Sequence, residues 1–254
     1  MFILPAAVLV SCYVFNDIFA MRDELRKSAY PNPDKRLRSF RDIWFMLFVC
    51  VATSVLKQLL HKITNPYLNR KLAAMNFPDH TQRLERLHDF SLGLWFYGAS
   101  ICFTFYTFYG NANITWMLGG SETELDSLSY WPDSRSGELP YIEYFYPIQM
   151  GYHFHNLIFH TICRTHKATY IEMILHHYLT WTLIFFSYFT SFEAFGLTVL
   201  MCHDIGDFVM NTAKIVRDLQ LMSGWRLDVY YAFVLISWGY PRVIVPTFTY
   251  LPSA

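Results

Sequence analysis

An all-α membrane protein, a bundle or barrel of about seven transmembrane helices, is the fold class that three observations in this sequence predict. The chain is apolar and aromatic: 54% of its 254 residues are hydrophobic, 19% aromatic and 16% charged, where average soluble chains carry about a quarter charged residues. Several stretches approach the roughly 20 mostly apolar residues that a helix needs to cross the hydrocarbon layer. Lys and Arg are divided unevenly between the loops that those stretches define. The balance of twenty basic and twenty acidic residues excludes a nucleic-acid binder held by counterion release and an acidic disordered tail.

The apolar stretches run over 2–20, 43–60, 90–109, 141–163, 170–190, 194–213 and 227–250. The first lacks a basic leader and a small-residue cleavage site, so it reads as a helix and not as a cleaved signal. Pro147, Pro241 and Pro246 fall inside expected helices and predict kinks or local unwinding. The polar break 110–140, with Gly119-Gly120 and five acidic residues (Glu122, Glu124, Asp126, Asp133 and Glu138), reads as an acidic loop. Its sequon Asn113-Ile114-Thr115 lies close to a helix end and is expected to go unused. The aromatic run Phe103–Tyr109 reads as interfacial belt and packing. Glu143 and Glu172 are expected to be solvated at helix ends, and Lys57 to snorkel toward the basic side. The five cysteines are odd in number and include no CxxC pair. They are expected to be buried free thiols, not a zinc site or a disulfide framework.

Loop charge sets the orientation. Counting from the second stretch, one set of loops carries Lys62, Arg70, Lys71, Arg83, Arg86, Arg164, Lys167, Lys214, Arg217 and Arg226. The opposite set carries only Arg135. That asymmetry places 61–89 on the cytosolic or matrix side. The basic segment 21–42 points the other way, so either helix 2–20 does not cross simply or 21–42 is a tethered amphipathic piece. The chain thus divides into 1–41, an extra helix with a basic segment, and 42–254, the main transmembrane domain.

Ionisable groups inside a span are costly and usually face a cavity or a partner. Here they cluster: His176-His177 on one helix, His203-Asp204 with Asp207 on the next, and Glu143, His153, His155 and His160 on a third. At 1.5 Å per residue, the His pair and Asp207 both lie about 10 Å in from the basic side. The short connector at 190–194 makes their helices antiparallel neighbours. Imidazole is the side chain best suited to move a proton near neutral pH, and it can attack a thioester directly. A neighbouring Asp can fix its tautomer and stabilise the imidazolium. The bland reading, core histidines bonded to backbone carbonyls, weakens as the burial costs accumulate. A metal site is the rival chemistry, but no HxxxH occurs anywhere, and His153-x-His155 faces two sides of a helix. No metal is expected.

The run from Ile171 to Lys214 resembles the core of the TLC domain in its ceramide synthase branch. The matching elements are His176-His177, Ser187-Tyr188, Gly196, His203-Asp204-Ile205-Gly206-Asp207 and Ala213-Lys214. Weaker similarity covers roughly 42–250, through Asp42-Ile43, Arg70, Glu85, Trp95, Tyr130-Trp131-Pro132, Arg242 and Pro246. The resemblance implies N-acylation of a sphingoid base by acyl-CoA in the endoplasmic reticulum membrane. His176 or His177 would be nucleophile or general base, Asp204 and Asp207 would orient and charge-stabilise it, and His203 would complete the lining. His153, His155, Arg164, Lys167 and Lys214 would contact substrate, the basic residues meeting the CoA phosphates. Acyl-CoA is a co-substrate here, and no further cofactor is implied. The partners would be membrane lipids, acyl-CoA, the sphingoid base and a homodimer mate or complex subunits, with no nucleic acid.

Three features depart from the family pattern. Trp95 is followed by Phe96 where the family usually has Arg, no counterpart of the family's final helix follows 227–250, and helix 2–20 precedes the family start. They sustain an alternative, a non-catalytic TLC-fold subunit of a larger membrane complex, such as one of respiratory-chain type in the mitochondrial inner membrane.

Overall fold

The structure is a computed structural model that describes residues 42–75, 79–107, 141–163, 170–189 and 193–244. Six α-helices carry them: α1 Asp42–Met75, α2 His80–Thr107, α3 Ile142–Cys163, α4 Tyr170–Phe189, α5 Glu193–Asp218 and α6 Trp225–Gly239, followed by a π-helical turn Tyr240–Ile244. No strand occurs among the described residues. Helix 2–20, the segment 21–41, the acidic loop with its sequon, Tyr130-Trp131-Pro132 and Pro246 lie outside them.

α3 and α4 match the apolar runs that predict them. α1 and α2 are longer than expected, and the reason is packing. At 1.5 Å per residue the 34 residues of α1 span about 51 Å, well beyond a hydrocarbon core of about 30 Å. The extra turns are amphipathic: Leu68 and Leu72 of α1 close against Leu87 of α2 and Leu219 beyond α5. Hydropathy finds the apolar core of each helix and misses an extension held by one buried stripe. α6 ends as a regular helix at Gly239, and Pro241 sits in the π turn, where a missing N–H and a bulky ring favour a widened backbone. Pro147 does not interrupt α3. It lies in the second turn, where a proline removes a single intrahelical hydrogen bond.

The helices pack in a ring. α3 lies between α4 and α1, α1 touches α2, α2 packs extensively on α5, and α5 carries α6, while α4 meets α5 lightly. The end away from the basic loops is filled with aromatics. Phe145, Tyr146, Tyr188 and Phe189 are buried there with Met46, Met150 and Leu197. Tyr146 stacks on Tyr188 at 5.5 Å, and Phe103 on Phe145 at 4.5 Å. The Tyr188 hydroxyl donates to Asp42 at 2.8 Å, tying the end of α4 to the start of α1. Gly151 lets α3 approach α1, because a Cβ there would stand 2.7 Å from the Met46 carbonyl and the Val49 side chain.

The outer faces are apolar. Trp44, Phe48 and Ile63 on α1, Leu175 and Leu183 on α4, and Phe233 and Ile236 on α6 are all exposed, a distribution suited to lipid and unfavourable in water. Among the described residues, α1 alone is long and apolar enough to cross a membrane by length and hydropathy. α3, α4 and α5 carry His and acidic residues that lower their mean hydropathy. The cysteines depart in part from expectation: Cys202 is buried and Cys50 half-buried, but Cys102 and Cys163 are exposed, since they sit on outward faces of their helices. Cys12 lies outside the described residues.

Candidate functional site

At the basic-loop end the bundle is hollow. A cavity of about 290 Å³ lies between α1, α2, α3, α4 and α5, lined by Lys57, Arg86, Asp89, Tyr97, Tyr152, Asn156, His160, Tyr170, His177, Asn211 and Lys214 among others. Consecutive helical residues point about 100° apart, so α4 turns one member of its His pair inward and the other outward. His177 is buried against the cavity and His176 is exposed. Neither ring nitrogen of His177 has a hydrogen-bond partner, a situation that costs about 1–3 kcal/mol per buried polar group. Its ring stands 4.4 Å from that of His160 on α3 and 5.4 Å from that of His176. The Nδ1 of His160 bonds the Asn156 carbonyl at 3.0 Å.

The other walls combine apolar side chains such as Leu92 and Met173 with polar groups that are largely paired. Lys57 makes an ion pair with Asp89 of α2 at 2.7 Å and lies over the Phe159 ring at 3.2 Å. It therefore does not snorkel to the basic side, because α1 continues 18 residues beyond it and a carboxylate waits on the adjacent helix. Tyr152 hydrogen-bonds with Asn156 and Tyr97 and stacks on Phe96 at 3.5 Å. Lys214 lines the cavity, with its ammonium 5.2 Å from the centre of the Phe90 ring. His155 is buried near Lys57, Asp89 and His160. Near the rim, Arg86 bonds Asp218 at 3.2 Å and Asp79 at 3.3 Å, and Arg83 bonds Asp79 at 2.6 Å. The Arg83 hydrogen bond holds the Asp79 carboxyl below the usual carboxylate range.

The aspartates of the HDIGD run are engaged elsewhere, contrary to the expectation that they orient the His pair. Asp204 is fully buried and accepts hydrogen bonds from Ser100 of α2 and from Gln149 of α3. Asp207 pairs with Arg242 of the π turn at 2.5 Å. The same guanidinium donates to the His203 carbonyl at 3.0 Å and stacks over Trp238. A half-buried carboxylate gains most from a charged, hydrogen-bonding partner, and here the cation just past the end of α6 supplies it. Gly206 makes room for it, since a Cβ there would stand 2.7 Å from the Arg242 Nε. His203 is exposed, with its Nδ1 at 2.9 Å from the Val199 carbonyl. His153 is buried with both ring nitrogens unpartnered, within electrostatic reach of His176 and His203.

The structure thus sorts the expected residues into two groups. His177, His155 and Lys214 gather at or beside the cavity, while His176, His203 and Asp207 lie toward the α4–α5–α6 side with His153 between the groups. Arg164 and Lys167 lie outside the described residues. Ser100, Gln149, Asp89, Asn156 and Asn211 escaped the sequence reading, because single polar residues on long helices carry no spacing signal. The one available clue was a lysine and an aspartate, Lys57 and Asp89, at similar depth on consecutive helices.

An all-helical integral membrane protein with histidines and carboxylates buried between its helices is the class these features define. The chain belongs to the TLC domain family: residues 90–254, more than half of its length, match that domain. It is similar to ASC1-like protein 3 of Oryza sativa subsp. japonica, 27% identical over 144 residues, 54% of this chain and 49% of that protein. It is similar to ceramide synthase LOH2 of Arabidopsis thaliana, 31% identical over 103 residues, 41% of this chain and 34% of the relative. Sphingosine N-acyltransferase lag1 of Schizosaccharomyces pombe is 29% identical over 104 residues, 41% of this chain and 26% of the relative. The matched stretches span about half or less of these three relatives' lengths.

Proposed function

We propose that this chain is an N-acyltransferase of ceramide synthase type, a polytopic bundle of about seven helices in the endoplasmic reticulum membrane, moving a fatty acyl group from acyl-CoA to a sphingoid amine. The observation that carries the proposal is His177: a buried imidazole with two unpartnered nitrogens on the wall of a cavity between the helices, lined by both polar and apolar side chains. The printed names of two relatives support the same chemistry, and the exposed apolar faces of α1, α4 and α6 support several spans.

A lone pair on His177 attacks the thioester carbonyl, a carbon–nitrogen bond forms, and the carbon–sulfur bond breaks to release the CoA thiolate. The thiolate takes up the proton that the acylated ring sheds. The amine then attacks the acyl carbon and the imidazole leaves, so that thioester plus amine becomes amide plus thiol. Arg164, Lys167 and Lys214 meet the CoA phosphates, His153 and His155 border the path of the substrates, and Asp204, Asp207 and His203 hold the polar lining in register.

One pair of contacts favours the second reading, a non-catalytic TLC-fold subunit. Asp204 and Asp207 are taken up by Ser100, Gln149 and Arg242 and hydrogen-bond no imidazole. The deciding experiment reconstitutes the chain in lipid nanodiscs with acyl-CoA and a sphingoid base and reads amide by mass spectrometry. The proposal expects amide from the wild-type chain and a loss of more than about 10³-fold in His177→Ala, the scale on which nucleophile removal acts. No amide from a folded chain, or undiminished amide from His177→Ala, overturns it.

A further inference from the structure

We propose that His160 is the base that deprotonates the acyl acceptor at this site. The inference rests on the acyl-transfer reading and adds a catalytic residue that neither the paired histidines nor the HDIGD run contains.

The geometry assigns the role. His160 lines the same cavity as His177, their rings 4.4 Å apart and tilted by 42°. Its Nδ1 lies 3.0 Å from the Asn156 carbonyl. A carbonyl oxygen can only accept, so in the neutral ring the proton sits on Nδ1, and Nε2 carries the lone pair. A backbone carbonyl fixing one nitrogen of a histidine so that the other can act is a recurrent device. The two aspartates that would otherwise serve are engaged by Ser100, Gln149 and Arg242. A base for the amine must therefore come from the cavity wall, and the groups facing His160 there are unsuited. Lys57 is a cation paired with Asp89, Arg86 and Lys214 are cations, and Tyr170 donates its hydroxyl proton to the Thr161 carbonyl. His177 is the proposed nucleophile.

The step balances without another reactant. The acceptor nitrogen attacks the acyl carbon on His177, and the new carbon–nitrogen bond forms as the bond to the His177 ring breaks, returning its electron pair to that ring. His160 Nε2 takes the proton from the attacking nitrogen. It then gives that proton to the released His177 ring, so both histidines end neutral. An acceptor that arrives as an ammonium first releases one proton to water.

The test separates the two half-reactions in nanodiscs, for wild type and for His160→Gln. Protein mixed with acyl-CoA alone reports the first half as a stoichiometric release of thiol and acylated His177 by peptide mapping. Adding sphingoid base reports the second. The proposal expects His160→Gln to acylate normally, which also certifies its fold, and to form amide about 10²- to 10⁴-fold more slowly, the usual range for a general base. The wild-type aminolysis rate should show a limb from histidine ionisation. In His160→Gln that limb should be replaced by a steady rise with pH as free amine accumulates. Acylation with an unchanged aminolysis rate and pH profile overturns the assignment of His160. An equal slowing of both halves also overturns it, because that marks a structural role. A wild-type chain that never acylates removes the acyl-transfer reading itself, a result distinct from either of those.

Discussion

The two ends of the bundle solve opposite problems with the same helices. Away from the basic loops, Phe145, Tyr146, Tyr188 and Phe189 fill the space between α3 and α4, and the Tyr188 hydroxyl there is tied to Asp42. Toward the basic loops, the same α3 and α4 border a cavity and present His160 and His177 to it. His177 keeps both nitrogens unpartnered despite its burial. One end buries aromatic surface and gains stability. The other end gives up packing and hydrogen bonds to keep reactive groups accessible, the usual division between a scaffold and a site. Substitutions should therefore separate cleanly: those at the filled end act on stability, and those at the hollow end act on activity.

The largest stability effect belongs to the filled end. Tyr146→Ala removes a fully buried ring that stacks on Tyr188 and bonds Ser187. It should destabilise the chain by about 3–5 kcal/mol, read as a lowered thermal midpoint in detergent, with activity falling only as the folded fraction falls. His177→Ala should do the reverse and leave the midpoint nearly unchanged or raised, since it relieves an unpartnered buried group. If both variants lower the midpoint alike, the division between the ends is wrong.

The Arg242–Asp207 pair sharpens the comparison at the boundary between them. Arg242→Met alone leaves a half-buried carboxylate without its partner and should destabilise by about 1–3 kcal/mol. The double variant Arg242→Met with Asp207→Asn should recover a large part of that loss. Gly206→Ala drives a methyl toward the guanidinium and should cost about 1–3 kcal/mol by overpacking. A double variant no better than the single one would show that the pair is not what holds the π turn on α5.

The smallest effect lies at the rim. The folded pKa of Asp79 is depressed by its hydrogen bond from Arg83, so its contribution is present in full above the unfolded carboxylate value near 3.9. It is lost as pH falls through the depressed folded value. Hydrogen exchange at the start of α2 should therefore quicken only in that acidic window and stay flat from pH 5 to 8. Quickening above pH 5 would assign the tether to some other group.

Much of this was legible in the sequence, and the failures have physical causes. The apolar runs located α3 and α4 within a residue or two, because both helices are apolar along most of their length. The extensions of α1 to Met75 and of α2 back to His80 were not legible, since only one face of each is buried and the partner is Leu219, far along the chain. The paired histidines announced a site, but which of His176 and His177 faces inward depends on the rotation of α4, which its neighbours set. The pairings Lys57–Asp89 and Arg242–Asp207 join distant residues, so no local pattern encodes them. Their effect was to redirect both Asp207 and Lys57 from the roles expected of them.

The central claim is that the hollow end exposes one reactive imidazole, that of His177, to an acyl donor. Incubating the chain in nanodiscs with a long-chain acyl-CoA and no amine, then quenching and mapping the peptides, tests it most directly. The account predicts an acyl adduct on His177 and none on the outward-facing His176. An adduct on His176, or none on a folded chain, would contradict it.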